Sequence, residues 1–225
     1  EDSTFALAYY GLAYNYKWNF DSRQYDFITK ALKYIHSVPE KEQLFIQAMA
    51  VNDDQDAAIP IYKKVLEKYP NEKLAYWEIG DIYYHDDMAD KSISYFEKCL
   101  EFDPAFEYAL QHLYLAYVDT ERHDNNIELA NRAIELFPDE KVYKQRQLGA
   151  YRQAGKFKDY FRLAKKLEKS EFPILNPDKI IGDGYMYSGD YEKAEEHYLK
   201  MLANNEKEID GLFSLKAHSM YRGDY

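Results

Sequence analysis

Three prolines, Pro70, Pro104 and Pro138, stand 34 residues apart, and Tyr83, Tyr117, Tyr151 and Tyr185 keep the same interval. Gly155, Gly189 and Gly223 repeat it a third time. A constant interval of this length, shared by three residue types, requires a series of like supersecondary units rather than one closed core. Each unit reads as two helices. In 73–106 the residues Tyr76, Ile79, Gly80 and Tyr83 fall on one helical face, then Ser92, Phe96, Cys99 and Leu100 mark a second helix that stops at Asp103-Pro104. The stretch 175–208 repeats the pattern with Ile181, Gly182 and Tyr185, a turn at Gly189-Asp190-Tyr191, and Ala194, Tyr198, Met201 and Leu202. Small residues at Gly80, Gly182, Ser92 and Ala194 let two helix axes approach while aromatics fill the flanks. One such hairpin cannot bury both its apolar stripes, so neighbours must stack.

These residues resemble the tetratricopeptide repeat, whose first helix carries an aromatic, Leu-Gly and Tyr, and whose second carries Ala, an aromatic, Ala and Pro. The resemblance implies an all-α, right-handed α-solenoid of antiparallel helix pairs, about 13 helices in one array over 1–225. Its units are 6–38, 39–72, 73–106, 107–140, 141–174 and 175–208, with a partial unit 209–225. The fit is closest in 73–106 and 175–208. In 107–140 Tyr114 stands at the small position and Asn126 at the alanine position; in 141–174 Leu148 replaces the glycine and Tyr160 the alanine. In 39–72 the second helix fits through Ala58, Tyr62, Val65, Leu66 and Pro70, with Pro60 near its start, and the first unit fits through Tyr9, Leu12, Ala13, Tyr16, Ala31 and Leu32. We expect a fragment of a longer polypeptide: Glu1-Asp2-Ser3 aligns with a repeat's end, Gly223-Asp224-Tyr225 with an interhelical turn, and a last helix near 209–221 caps the array.

The formal charge is −11, with 40 acidic and 29 basic residues. Such a surface repels phosphate backbones and anionic lipid, so no nucleic-acid partner is expected. The longest apolar run, 6–14, is broken by Gly11 and far below the roughly 18 residues of a membrane span, so no membrane insertion is expected. The single cysteine, Cys99, forms no internal disulfide and reads as a small core residue.

Stacking places first helices on the concave side. Unit positions 4, 8 and 11 face the core, and positions 5, 9 and 12 lie about 100° away, lining a groove. By this count the partner-binding residues are Tyr10, Tyr14, Trp77, Asp81, Tyr84, Gln111, Leu115, Gln145, Arg152, Lys179 and Met186, together with Lys17, Val118, Gly149 and Asp183; Arg146 joins them as an anion contact. Aromatics, Met and Arg are enriched at interface hot spots. For Tyr10, Tyr14 and Tyr84, packing against the next repeat is an equal alternative. One subclass of the family grips a C-terminal carboxylate with Lys and Asn at groove positions; here Trp77, Glu78, Asp81 and His112 occupy those places, which argues against that clamp. Unit 141–174 has ten basic and three acidic residues, a net +7 between neighbours of −6 and −4. Two readings stay open: Arg146 and Arg152 present a site for an acidic or carboxylate-bearing peptide, or the unit bridges its acidic neighbours electrostatically.

Chemistry finds little support. None of His36, His85, His112, His123, His197 and His218 pairs with another at i, i+4, so no metal and no cofactor is expected. His85-Asp86 and His123-Asp124 sit at turns, where short polar residues cap helices. The cluster Asp53-Asp54-Gln55-Asp56 lacks a calcium loop's glycine and distal glutamate and reads as a helix cap. The chain is expected to be a non-catalytic scaffold that binds a protein or peptide segment in the concave groove. The alternative is a self-association module, with the groove or cut ends binding another copy. The pattern, including Ser-Val-Pro-Glu-Lys-Glu at 37–42, is similar to repeat arrays of bacterial signalling polypeptides, which implies a cytoplasmic location.

Overall fold

The computed structural model describes residues 4–168 and 176–204. Among them are twelve α-helices and no strand. The helices are α1 (Thr4–Trp18), α2 (Arg23–Lys33), α3 (Glu40–Ala50), α4 (Gln55–Lys68), α5 (Lys73–His85) and α6 (Ala89–Phe102). They continue with α7 (Glu107–Asp119), α8 (His123–Leu136), α9 (Lys141–Gln153), α10 (Phe157–Glu168), α11 (Pro177–Ser188) and α12 (Tyr191–Asn204), and a 3₁₀ turn, Ile35–Ser37, precedes α3. The helix expected near 209–221, and the terminal stretches Glu1-Asp2-Ser3 and Gly223-Asp224-Tyr225, lie outside the described residues. None of the described helices is long and apolar enough to cross a membrane.

The chain divides into two compact units, Glu1–Thr120 with α1 to α7 and Glu121–Tyr225 with α8 to α12. The boundary falls inside the repeat 107–140, whose Tyr114 and Asn126 depart from the small-residue pattern. Within each unit helices pack chiefly on their neighbours in sequence, as serial stacking requires.

Close approach explains the small residues. A methyl group on Gly80 would lie 2.7 Å from two ring carbons of Phe96, and one on Gly182 would lie 2.6 Å from Tyr198. The rings of the second helix thus sit against bare backbone of the first. Ser92, Ala194 and Cys99 are fully buried, as the pattern predicts, and burial pushes the Cys99 thiol up to about 12, so it stays a neutral core group. Helix α4 runs through Pro60, and its start is capped by Asp54, whose carboxylate accepts from the amides of Asp56 and Ala57 at 3.1 and 3.2 Å.

The turns repeat as well. The carbonyls of Tyr16, Tyr83, Tyr151 and Tyr185 accept from the amides of Asp21, Met88, Lys156 and Asp190 at 3.0, 2.9, 2.8 and 2.9 Å, the six-residue closure of a helix C-terminus. The residue before each of the four donors is left-handed: Phe20 at φ 51°, Asp87 at 58°, Gly155 at 65° and Gly189 at 87°; Glu121, at 56°, holds the same place in its repeat. An L-residue there costs about 1–2 kcal/mol that glycine avoids. We therefore expect Glu121→Gly to raise stability by about 0.5–1 kcal/mol in urea titration. A neutral or negative result would mean that the carboxylate contributes more than the backbone relief.

Candidate binding surfaces

In the first unit the groove-facing side chains meet one another. Lys17 on α1 donates to Glu78 on α5 at 3.1 Å, and Tyr62 on α4 donates to the same carboxylate oxygen at 3.3 Å. Glu78 is 2% exposed and Lys17 17%, so this is a buried ion pair spanning 61 residues of sequence. Tyr10 and Tyr14, half-buried, pack ring to ring at 6.1 Å beside it, and both phenols are raised by burial and then by the Glu78 charge. Next to them Trp18 stacks on Trp77 at 5.8 Å and on Tyr108 of α7 at 5.5 Å. The C-terminal end of α1 thus folds over α5 and α7.

This stack decides what the predicted groove residues do here. Trp77 is fully buried rather than presented, with Phe96, Phe106 and His112 also against it at 5.5, 5.7 and 4.9 Å. A partner cannot touch it. Asp81 is 5% exposed and faces His85 and His112. Tyr84 is half-buried and donates to Asp119 at 3.0 Å; burial first, and that bond second, push it up to about 12. Gln111 is half-buried, and Leu115 is 40% exposed.

The second unit is more open. Gln145, Gly149 and Arg152 on α9 and Asp183 on α11 border a recess of about 120 Å³, floored by Leu148, Ile180 and Tyr160. These four polar or small residues are all groove positions by the periodic count, and they border one recess. The Arg152 guanidinium lies 4.3 Å from the Tyr187 ring centre, and Tyr187 is exposed. Lys179 donates to Asp183 at 3.0 Å, and the other oxygen of Asp183 accepts from Tyr198 at 2.8 Å. The Arg146 guanidinium sits 5.7 Å from the Tyr143 ring. Met186 is buried, 3.6 Å from the Tyr198 hydroxyl, and serves the core instead of the surface.

Sequence reading missed Trp18, Tyr108 and the role of His112. Trp18 lies one residue past the last core or groove position of α1, so a face count assigns it nothing. A usable signal exists in spacing: Asp81 and His85 are i, i+4 on one helix, a carboxylate–imidazole pair that a count of histidine pairs alone passes over.

A helical-repeat protein with ring-filled helix crossings is defined by these features. The fold is that of the tetratricopeptide-repeat proteins: the family profile, described as Tetratricopeptide repeat, matches residues 74–106, the unit with the most regular pattern. Among solved structures, YrrB, "a TPR protein with an unusual peptide-binding site", aligns with a TM-score of 0.60 and 19% identity over 84% of this chain and 97% of its own. MamA from Desulfovibrio magneticus RS-1 aligns at 0.52 and 21%, covering 75% of this chain and 93% of that one. A complex of Naa15/Naa10 with HypK-THB aligns at 0.57 and 12%, over 95% of this chain and 38% of that one. At these identities the likeness is one of fold. No curated protein sequence matches the chain. Tetratricopeptide-like arrays are protein-interaction scaffolds, since each stacked unit adds surface to an extended face.

Proposed function

We propose that the chain is a non-catalytic scaffold that binds a protein or peptide segment, with an acidic stretch held on the α9–α11 face of the second unit. The observation that carries this reading is the recess bordered by Gln145, Gly149, Arg152 and Asp183. It is concave, it draws on two successive first helices, and its α9 side belongs to the repeat 141–174, whose net charge is +7. Arg152 is held over an exposed ring, so little rotamer freedom is lost when its guanidinium takes up a carboxylate. In the first unit the equivalent positions are closed by Trp18 and Trp77. YrrB's described peptide-binding site is a precedent for ligands of this kind on this fold.

Arg152→Glu is expected to weaken binding of acidic peptides selected from an array by about tenfold and to flatten its salt dependence. Lys158→Glu, an equal charge change on an exposed second-helix residue, serves as the control and is expected to change affinity by less than about twofold. Equal effects of both substitutions would reduce the reading to net charge alone, and no effect of either would remove it. Should Arg152→Glu instead abolish a concentration-dependent rise in light-scattering mass, the occupant of the face is a second copy of the chain.

A further inference from the structure

Asp81 and His85 lie one turn apart on α5, and His112 comes from α7, the first helix of the next repeat. The helix pairing converges them. Asp81 Oδ1 is 3.4 Å from His85 Nε2 and 3.6 Å from His112 Nε2, and the three groups offer donor atoms that all lie within 4.8 Å of one another. In a tetrahedral zinc site with bonds of about 2.1 Å, two ligand atoms are about 3.4 Å apart. The two measured separations are therefore those of ligands already spaced for a shared ion.

Three further features favour a cation. Asp81 Oδ1 is buried and accepts no hydrogen bond that meets normal geometry, so in a site that is 5% exposed its nearest polar neighbours are the two imidazole nitrogens. The Nδ1 of His112 is 3.0 Å from the Tyr108 carbonyl, where Nδ1–H donates, and Nε2 is the ring nitrogen that faces Asp81. The His112 ring is fixed edge-on to Trp77 at 4.9 Å and to Tyr84 at 5.6 Å, so it holds its place without a metal. His85, by contrast, is exposed and borders a cleft of about 460 Å³. Asp53, Asp54, Asp56 and Asp86 line that cleft, and Lys17, engaged by Glu78, is its one cation among the lining residues. Acidic walls draw divalent ions inward and give them an entry path.

From this geometry we propose that Asp81, His85 and His112 form a binding site for a divalent transition ion of the zinc class, with at least one coordination position open to the cleft. Two imidazoles and one carboxylate suit zinc, copper or nickel and are a poor set for calcium, which takes six or more oxygens. The open position is filled by water or by a donor atom from a bound segment. The site is built from residues of the first unit alone and the recess from residues of the second, so it stands or falls independently of the peptide-binding reading.

The test uses the chain freed of metal by chelator and titrated with zinc sulfate, read by calorimetry and by competition with a chromophoric chelator. One equivalent is expected to bind. His85→Ala, at an exposed position where folding is insensitive, should weaken binding at least about tenfold, and Asp81→Asn more. Zinc should raise the melting temperature of the parent chain by mass action and leave that of Asp81→Asn unchanged. Cobalt in place of zinc should give the visible absorption of a four- or five-coordinate ion. A titration without saturable binding overturns the site, as does binding that both substitutions leave intact. Circular dichroism of each variant shows that the helices persist, so a lost signal is not an unfolded chain.

Discussion

Replacing Lys17 by Met is expected to lower stability by about 2–4 kcal/mol, seen as a reduced urea midpoint with an unchanged slope. The side chain lost is not large, and its apolar stem is retained. The cost arises at the partner: Glu78, 2% exposed and buried between α1, α4 and α5, loses the ammonium 3.1 Å away and is left as a buried acid with the Tyr62 hydroxyl as its remaining donor. Lys17 also lies 5.7 Å from the Trp18 ring, a smaller contribution that the same change removes. The double variant Lys17→Met, Glu78→Gln separates the two causes. Glutamine still accepts from Tyr62 but carries no charge, so most of the loss should return. If Lys17→Met alone stays within about 0.5 kcal/mol of the parent, the pair does not hold α1 in place as argued.

The second large effect comes from one substitution made at two sites. Alanine is favoured over glycine in a helix by about 1 kcal/mol, and Gly11 in α1 has no atom within 4 Å of the added methyl, so Gly11→Ala should stabilise by about that amount. At Gly80 the same methyl would sit 2.7 Å from Phe96, whose ring is fully buried and wedged 5.5 Å from Trp77. The ring has nowhere to go without disturbing the stack. Overpacking of this kind costs about 1–3 kcal/mol and outweighs propensity, so Gly80→Ala should destabilise. Chemical denaturation of both variants checks the sign at each site. A stabilising Gly80→Ala would mean that the α5–α6 crossing yields easily, against the role given to the glycine.

Much of the local structure was legible because it depends on periods shorter than a helix pair. Gly80 and Gly182 lie where bare backbone is needed, Asp54 caps its helix, and Gly155 and Gly189 take the left-handed position. The recess of the second unit was also legible, since Gln145, Gly149, Arg152 and Asp183 share a face by simple rotation along two helices. What rotation cannot give is how far a row of first helices curls. Trp77 and Asp81 occupy groove positions, yet the last residue of α1, Trp18, lies against Trp77 of α5 and Tyr108 of α7 and closes that stretch. Met186 sits on the predicted face but turns inward to Tyr198, because a flexible thioether fills whatever space a neighbouring ring leaves. The convergence of His112 on Asp81 has the same origin, for it depends on the offset between successive repeats and not on either helix alone.

The chain holds only two indoles, Trp18 and Trp77, and they lie face to face at 5.8 Å. All of its red-edge ultraviolet excitation is consequently absorbed at one seam, where α1 rests on α5 and α7. Emission from that pair registers the seating of the first helix and is blind to α8–α12, whereas peptide-bond ellipticity weighs every helix alike. A divergence between the two optical signals along a denaturant ramp would then locate the event spatially, separating loss of a single contact from collapse of the array.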